Sequence, residues 1–244
     1  MRLLAIIEYD GTDFAGFQLQ RDQRTVQGEL ERTLHKINGT PIRAHGAGRT
    51  DTGVHASGQG AHFDIEWKQS LEVLQRALNA FLPTDIAIRS LTQVPDNFSA
   101  RFSATSRAYR YTILNDARKS PLVERYAWRV DVPLDVEAMS AAAQMLVGEK
   151  DFGAFGTSPR KNNNTVRTIL RAQVERRGDR VWFDIEANAF LYRMVRRIVG
   201  TLVKVGKGTL SVDDFVQVIE KKQRAGQSAP PQGLCLVKVN YVLE

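Results

Sequence analysis

The sequence is poor in cysteine, histidine and long apolar runs, and each shortage excludes something. A single cysteine, Cys235, in 244 residues cannot form an internal disulfide or furnish a Cys-rich zinc site, and it fits a reducing compartment. Only four histidines occur, His35, His45, His55 and His62, and no two are spaced for adjacent ligation on a predicted helix. Ordinary structural or solvent-facing roles are expected of them, and no metal or cofactor is expected. No stretch approaches about 18 consecutive apolar residues, and Met1 runs straight into Arg2-Leu-Leu-Ala-Ile-Ile-Glu8 with no cleavage pattern. The chain is therefore expected to be cytoplasmic, with no membrane partner. Short repeats and low-complexity tracts are also missing.

What is present suffices for a folded protein. Hydrophobic residues make up 43% and charged residues 25%, enough to bury the core of one large domain or two small ones. Thirty-four Lys and Arg against 27 Asp and Glu leave a net charge of +7. The excess is not evenly spread. Residues 1–105 carry 11 basic and 12 acidic side chains, whereas residues 106–244 carry 23 and 15. A polyanionic partner for the second half is the natural reading, with nucleic acid ahead of a membrane surface.

Periodicity predicts a strand over 2–9, a helix over 26–38 capped by Thr25, strands over 42–47 and 59–65, a helix over 70–81 and a strand over 86–91. That order, β-α-β-β-α-β, is the split βαβ signature of ferredoxin-like folds. The second half repeats the logic with insertions. A strand over 107–114 is followed by a helix from Asp135, a hairpin of 169–177 and 180–187, a helix over 189–206, another opened by Ser211 with Asp214 as a variant capping box, and a final strand over 234–242. The expected architecture is α+β: two ferredoxin-like (RRM-like) halves whose mainly antiparallel sheets join. Residues 1–105 would form the first domain and 106–244 the basic second one.

On a helix of about 100° per residue, Arg193, Arg196, Arg197, Lys204 and Lys207 share one face, opposite Met194, Val195, Ile198, Val199, Leu202 and Val205. A second basic stretch over 158–180 includes Arg160, Lys161, Arg167, Arg171, Arg176, Arg177 and Arg180. The alternative for both is a solvated surface with no partner. The absence of acidic residues from 187–207 favours a polyanion, bound chiefly through its phosphates.

The segment expected to carry chemistry is Gly46-Ala-Gly-Arg-Thr-Asp-Thr-Gly-Val-His-Ala56. Its glycines permit sharp turns that hold polar side chains at a sheet rim. Asp51 lies two residues from Arg49, and a guanidinium keeps a carboxylate ionised and oriented, as a nucleophile or base requires. Asp51 could equally cap a turn in a purely structural loop. A phosphate-binding P-loop is excluded because G-x-x-x-x-G-K-[ST] is absent, and no second acid can be placed opposite Asp51 to make a glycosidase. On the strand over 107–114, Arg107, Tyr109 and Tyr111 share a face. An aromatic flanked by arginine can stack on an unpaired base, although a strand tyrosine is more often plain core.

Together these segments resemble the TruA family of tRNA pseudouridine synthases. Gly48-Arg-Thr-Asp-Thr-Gly-Val-His-Ala56 is similar to its signature. Glu8-Tyr-Asp-Gly-Thr, Phe102-Ser-Ala-Thr-Ser-Arg-Ala-Tyr-Arg-Tyr111, Asp151-Phe152, Asn188-Ala-Phe-Leu-Tyr-Arg-Met-Val-Arg196 and the Gly233-Leu234 pair follow in the family's order, over essentially the whole chain. The resemblance implies a homodimeric, cofactor-free isomerase that converts uridine to pseudouridine in the tRNA anticodon stem-loop. It implies Asp51 as the catalytic carboxylate and nucleophile, Tyr109 stacking on the target uracil, Arg49 and Arg196 at the site, and Leu234 lining it. Arg196 would pair with Asp51 or hold a phosphate. Arg193, Arg197, Arg160, Lys161 and Arg167 are candidate tRNA contacts. Gly16-Phe-Gln-Leu-Gln20 departs from the more usual Gly-Trp-Gln-Arg-Gln and loses one candidate cation. A non-catalytic RNA-binding protein on the same fold, and a hydrolase using the same aspartate, are the competing readings.

Overall fold

A computed structural model describes residues 1–158, 164–221 and 225–242. The chain divides into two units, one of Met1–Thr105 together with the chain from Cys235 onward, the other of Ser106–Leu234.

In the first unit, β1 (Arg2–Tyr9) lies between β3 (His55–Asp64) and β4 (Ile86–Val94), antiparallel to both. Strand β2 (His45–Gly46) pairs antiparallel with β3, and the last strand, β10 (Leu234–Tyr241), runs parallel to β3 through Cys235 and His55. Helix α1 (Val26–Asn38) starts where the Thr25 hydroxyl accepts the Gly28 N–H and stops at Gly39 in the left-handed region, φ 77°. Helix α2 (Leu71–Phe81) is capped by Ser70. Leu3, Ala5 and Ile7 of β1, Leu30 and Leu34 of α1, and Leu74 and Leu78 of α2 are all fully buried, so the 2- and 3.6-residue periodicities converge on one core.

In the second unit, β5 (Ala104–Leu114), β9 (Arg180–Ala187), β8 (Val166–Arg177) and β7 (Gly148–Asp151) form an antiparallel sheet in that order. Helix α3 (Pro121–Glu124) precedes the short β6 (Trp128–Arg129), which adds parallel to β5. Helix α4 (Val136–Gln144), with Asp135 as its N-cap, packs on β8 and on α5 (Met194–Gly206); α6 (Val212–Ile219) packs on both α4 and α5. The Ser211–Asp214 capping box at α6 is present in full. Phe152, Phe155 and Phe215 are fully buried and meet ring to ring at 6.4 and 6.0 Å.

The structure departs from the sequence reading in four places. The strand predicted over 42–47 shrinks to His45–Gly46, while β3 starts at His55, four residues early, because Gly58 and Gly60 mask its alternation. The helix predicted over 189–206 begins only at Met194. Arg193 is its N-cap at φ 60°, and the Tyr192 N–H is spent on Thr157 O, 3.1 Å away. A left-handed residue cannot sit inside an α-helix, so Arg193 flanks the basic face and is not on it. The final strand, read with the second half, hydrogen-bonds into the first unit's sheet at β3. Finally, β6, β7 and α3 were not predicted, being two to four residues each.

Candidate active site

Asp51 stands in the connection between β2 and β3, half-buried, between the buried Thr50 and the exposed Thr52. What fixes this connection is the segment that follows β1. Tyr9 Oη and Thr50 Oγ1 are 2.8 Å apart, the Phe17 N–H donates to Thr50 O at 3.1 Å, and the Gly53 N–H donates to Phe14 O at 3.3 Å. The Gly11 N–H donates to His55 Nδ1 at 3.0 Å, with Asp10 Oδ1 3.1 Å from the same nitrogen. The two backbones approach so closely that side chains are excluded. A Cβ on Gly11 would lie 2.0 Å from Val54 O, and one on Gly16, at φ +95°, would lie 2.6 Å from Thr50 O. Within the turn itself the Val54 N–H donates to Asp51 O, and Gln59 reaches Gly48 O at 3.0 Å. The carboxylate thus rides on a connection held on both sides, which is the support a positioned reactive group needs.

Arg49 is exposed and makes no ion pair among the described residues, so it does not clamp Asp51 as the two-residue spacing suggests. The exposed Arg49 and the half-buried Asp51 flank the buried Thr50 in an irregular loop, where sequence spacing does not set side-chain direction. The histidines serve the fold. His55 holds Gly11, while His62 stacks on His45 at 5.0 Å and accepts the Ala100 N–H. Burial lowers the pKa of His62.

The second unit holds Tyr109, Arg196 and Leu234. Tyr109 lies on β5, only 8% exposed, with its ring edge-on to Phe190 at 5.1 Å. Its neighbour on that face, Tyr111, is fully buried. Its hydroxyl donates to Pro230 O at 2.9 Å, and burial pushes its pKa up, opposed by the charge of Arg196. Of the Tyr-x-Tyr pair, Tyr111 is core. Arg196 is half-buried, and its Nε donates to Ala229 O at 2.7 Å while its own carbonyl accepts the Ala229 N–H. It is therefore a held side chain, set apart from the exposed Lys204 of the same helix and from Lys207 at its C-cap. Leu234 is buried where the 3-10 turn Pro231–Gly233 enters β10.

Arg193 and Arg197 line an open groove of about 740 Å³ with Thr165, Lys221, Gly226 and Ser228. The Arg193 guanidinium lies over the Tyr192 ring at 4.9 Å. Arg167, half-buried on β8, donates to Asn164 O. Arg160 and Lys161 lie outside the described residues. The second basic stretch is partly structural. Arg176 bonds Asn115 and Leu134 O, and Arg177 pairs with Glu175 and covers the Trp182 ring. Two participants escaped the sequence reading. Phe190 was visible only as one letter in a motif, and Lys221, twenty-four residues beyond Arg197, carries no local signal of its place in the groove.

A family model described as tRNA pseudouridine synthase matches residues 5–103 and 142–242. Proteins named tRNA pseudouridine synthase A share 42% identity with the chain in Thermoanaerobacter sp. (strain X514) and 44% in Brevibacillus brevis, each match covering 98% of this chain and 99% of the relative. The Halalkalibacterium halodurans protein of that name is 45% identical, over 93% of this chain and 88% of its own. With the first matched region holding the Asp51 connection, the second holding Arg196 and Leu234, and relatives at 42–45% identity along nearly the whole chain, the chain belongs to the tRNA pseudouridine synthase family.

Proposed function

We propose that the chain isomerises uridine to pseudouridine in the anticodon stem-loop of tRNA, at about positions 38 to 40, after the target nucleotide leaves the stack. It does so as a cytoplasmic homodimer without a cofactor. The observation that carries the reading is the Asp51 connection, pinned through Thr50, Gly53 and His55 by the segment after β1. Such support suits a carboxylate that must meet one atom of an extruded nucleotide.

The isomerisation breaks the N1–C1′ bond, turns the uracil and joins C5 to C1′; the proton on C5 leaves and N1 gains one, so atoms balance with no other reactant. Asp51 acts as nucleophile at C1′ or C6, or as a base on the sugar's 2′ hydrogen. Tyr109, its ring held by Phe190, stacks on the uracil, and Leu234 supplies an apolar wall. Arg196, anchored at Ala229, pairs with Asp51 or holds the target phosphate, and the exposed Arg49 serves at the same site. Arg193, Arg197 and Arg167 contact the RNA further out, as do Arg160 and Lys161.

Tritium release from C5-labelled uridine in tRNA tests the reading. Asp51→Asn is expected to abolish release and leave tRNA affinity within a few-fold. Turnover retained in that variant would overturn the assignment; no release by the wild-type protein with any tRNA would favour a non-catalytic binding module, and free uracil among the products a hydrolase.

A further inference from the structure

Between β4 and β5 the chain makes a turn, Phe98–Ser103, whose outermost side chain is Phe102. At 73% exposed it is the least buried aromatic among the described residues. The turn beneath it is held by a set of backbone hydrogen bonds. The Ala100 N–H donates to His62 Nδ1 at 3.1 Å, and Ala100 O accepts from Tyr241 Oη at 3.0 Å. Arg2 donates to Phe98 O at 3.0 Å. Ser99 and Ser103 close the turn: the Ser103 N–H donates to Ser99 O at 2.8 Å and the Ser99 N–H to Ser103 Oγ at 3.1 Å. The Phe102 N–H itself points to Ser99 Oγ at 3.4 Å. Below, the Phe98 ring is buried, edge-on to His62 and tilted on Tyr241 at 5.2 Å.

An exposed phenylalanine adds nothing to the core, yet this one stands on a rigid support. The Arg101 guanidinium lies 5.6 Å from the ring centroid, and the turn itself contains no acidic residue. An aromatic face with an adjacent cation has the chemistry of a platform for an unpaired nucleobase and its phosphate. One ring is far too small an area for a stable protein interface, which needs on the order of 800 Å² per partner, but it matches a single base.

We propose that Phe102 is a second stacking platform, taking one unpaired base of the tRNA other than the target uridine, with Arg101 on that nucleotide's phosphate. The inference rests on the tRNA reading above. Because the turn is already ordered, binding there costs little conformational entropy.

The experiment measures tRNA affinity in the full-length Asp51→Asn protein, where turnover does not intervene, and KM and kcat in the otherwise wild-type chain. Phe102→Ala is expected to weaken binding about tenfold, within the loss a stacked base carries, and to raise KM more than it lowers kcat. Phe102→Trp should restore binding, whereas Phe102→Leu, of similar size but without a ring face, should not. Wild-type affinity in Phe102→Ala overturns the proposal, as does full rescue by leucine. Loss of binding accompanied by a changed sedimentation mass would assign the ring to a second copy of the chain and also overturn it. Thermal melting guards against misfolding, since an exposed ring leaves the melting temperature unchanged. If the wild-type protein binds tRNA but releases no tritium, the isomerase reading fails while the binding comparison still judges Phe102.

Discussion

At the scale of single residues, role follows from what each side chain touches. Tyr109 and Tyr111 have the same chemistry two positions apart, but Tyr111 is fully buried with its hydroxyl on Pro230 O, whereas the Tyr109 ring packs edge-on against Phe190. Tyr109→Phe should therefore keep its packing on Phe190 and its tRNA affinity, measured by filter binding; a large loss would mean that Tyr109 acts structurally and does not stack on the uracil. Asp151 illustrates a charge that serves the fold. Lys221, the Thr165 hydroxyl and the Gly153 N–H hold its pKa down from 3.8 to about 2. A depressed carboxylate stabilises the folded state above its unfolded pKa, and that contribution is lost as pH falls through the folded one. Asp151→Asn should accordingly flatten the fall in stability between pH 3.8 and about 2, followed by urea midpoints across that window. A steep fall unchanged in the variant would place the linkage elsewhere. The residue types of the candidate site, Asp51 above all, are named by the sequence motif itself. The lack of an Arg49–Asp51 ion pair was not legible there, because two-residue spacing fixes proximity along the chain and, in an irregular loop, says nothing about where each side chain points.

At the scale of elements, the periodic ones were legible and the joints were not. Thr25, Asp135 and Ser211 each cap the helix that their position predicts, since a cap is a local bond between neighbours in sequence, and Ser70, read as the first residue of its helix, is the cap of α2. The start of α5 was missed because Arg193 takes a left-handed φ enforced by the distant strand-like pairing of Tyr192 with Thr157. That helix also has a polar lock on its inner side. The fully buried Thr201 accepts the Gly226 N–H at 2.8 Å and donates to Arg197 O. Thr201→Val keeps the shape and orphans a buried donor, and should cost about 1–3 kcal/mol in chemical denaturation. It should also loosen the chain around Ala229 that holds Arg196; an unchanged midpoint would show that water replaces the hydroxyl. The Asp51 connection depends on an equally non-local fit, the backbone of Gly11 and Gly16 against Val54 and Thr50, which a sequence announces only as unexplained glycines.

At the scale of the whole molecule, charge and connectivity are the distinguishing features. Arg110, Arg177 and Lys221 of residues 106–244 pair with Asp184, Glu175 and Asp151, so the net excess of that half is carried by its other cations. Arg193 and Arg197 remain on the open groove. Replacing either with alanine should reduce the slope of log affinity for tRNA against log salt by about 1, and an unaltered slope would remove that arginine from the phosphate contacts. Connectivity has a consequence of a different kind. Strand β10, which pairs with β3 immediately after the Asp51 connection, is made only after the whole second unit. During synthesis β3 must wait, with His55 and Ala56 unpaired on that side, until the whole second unit has emerged from the ribosome. The strand next to the loop that bears the carboxylate is thus completed only once the second unit has been made, and a nascent chain halted before Cys235 would display the signature residues on an unfinished sheet.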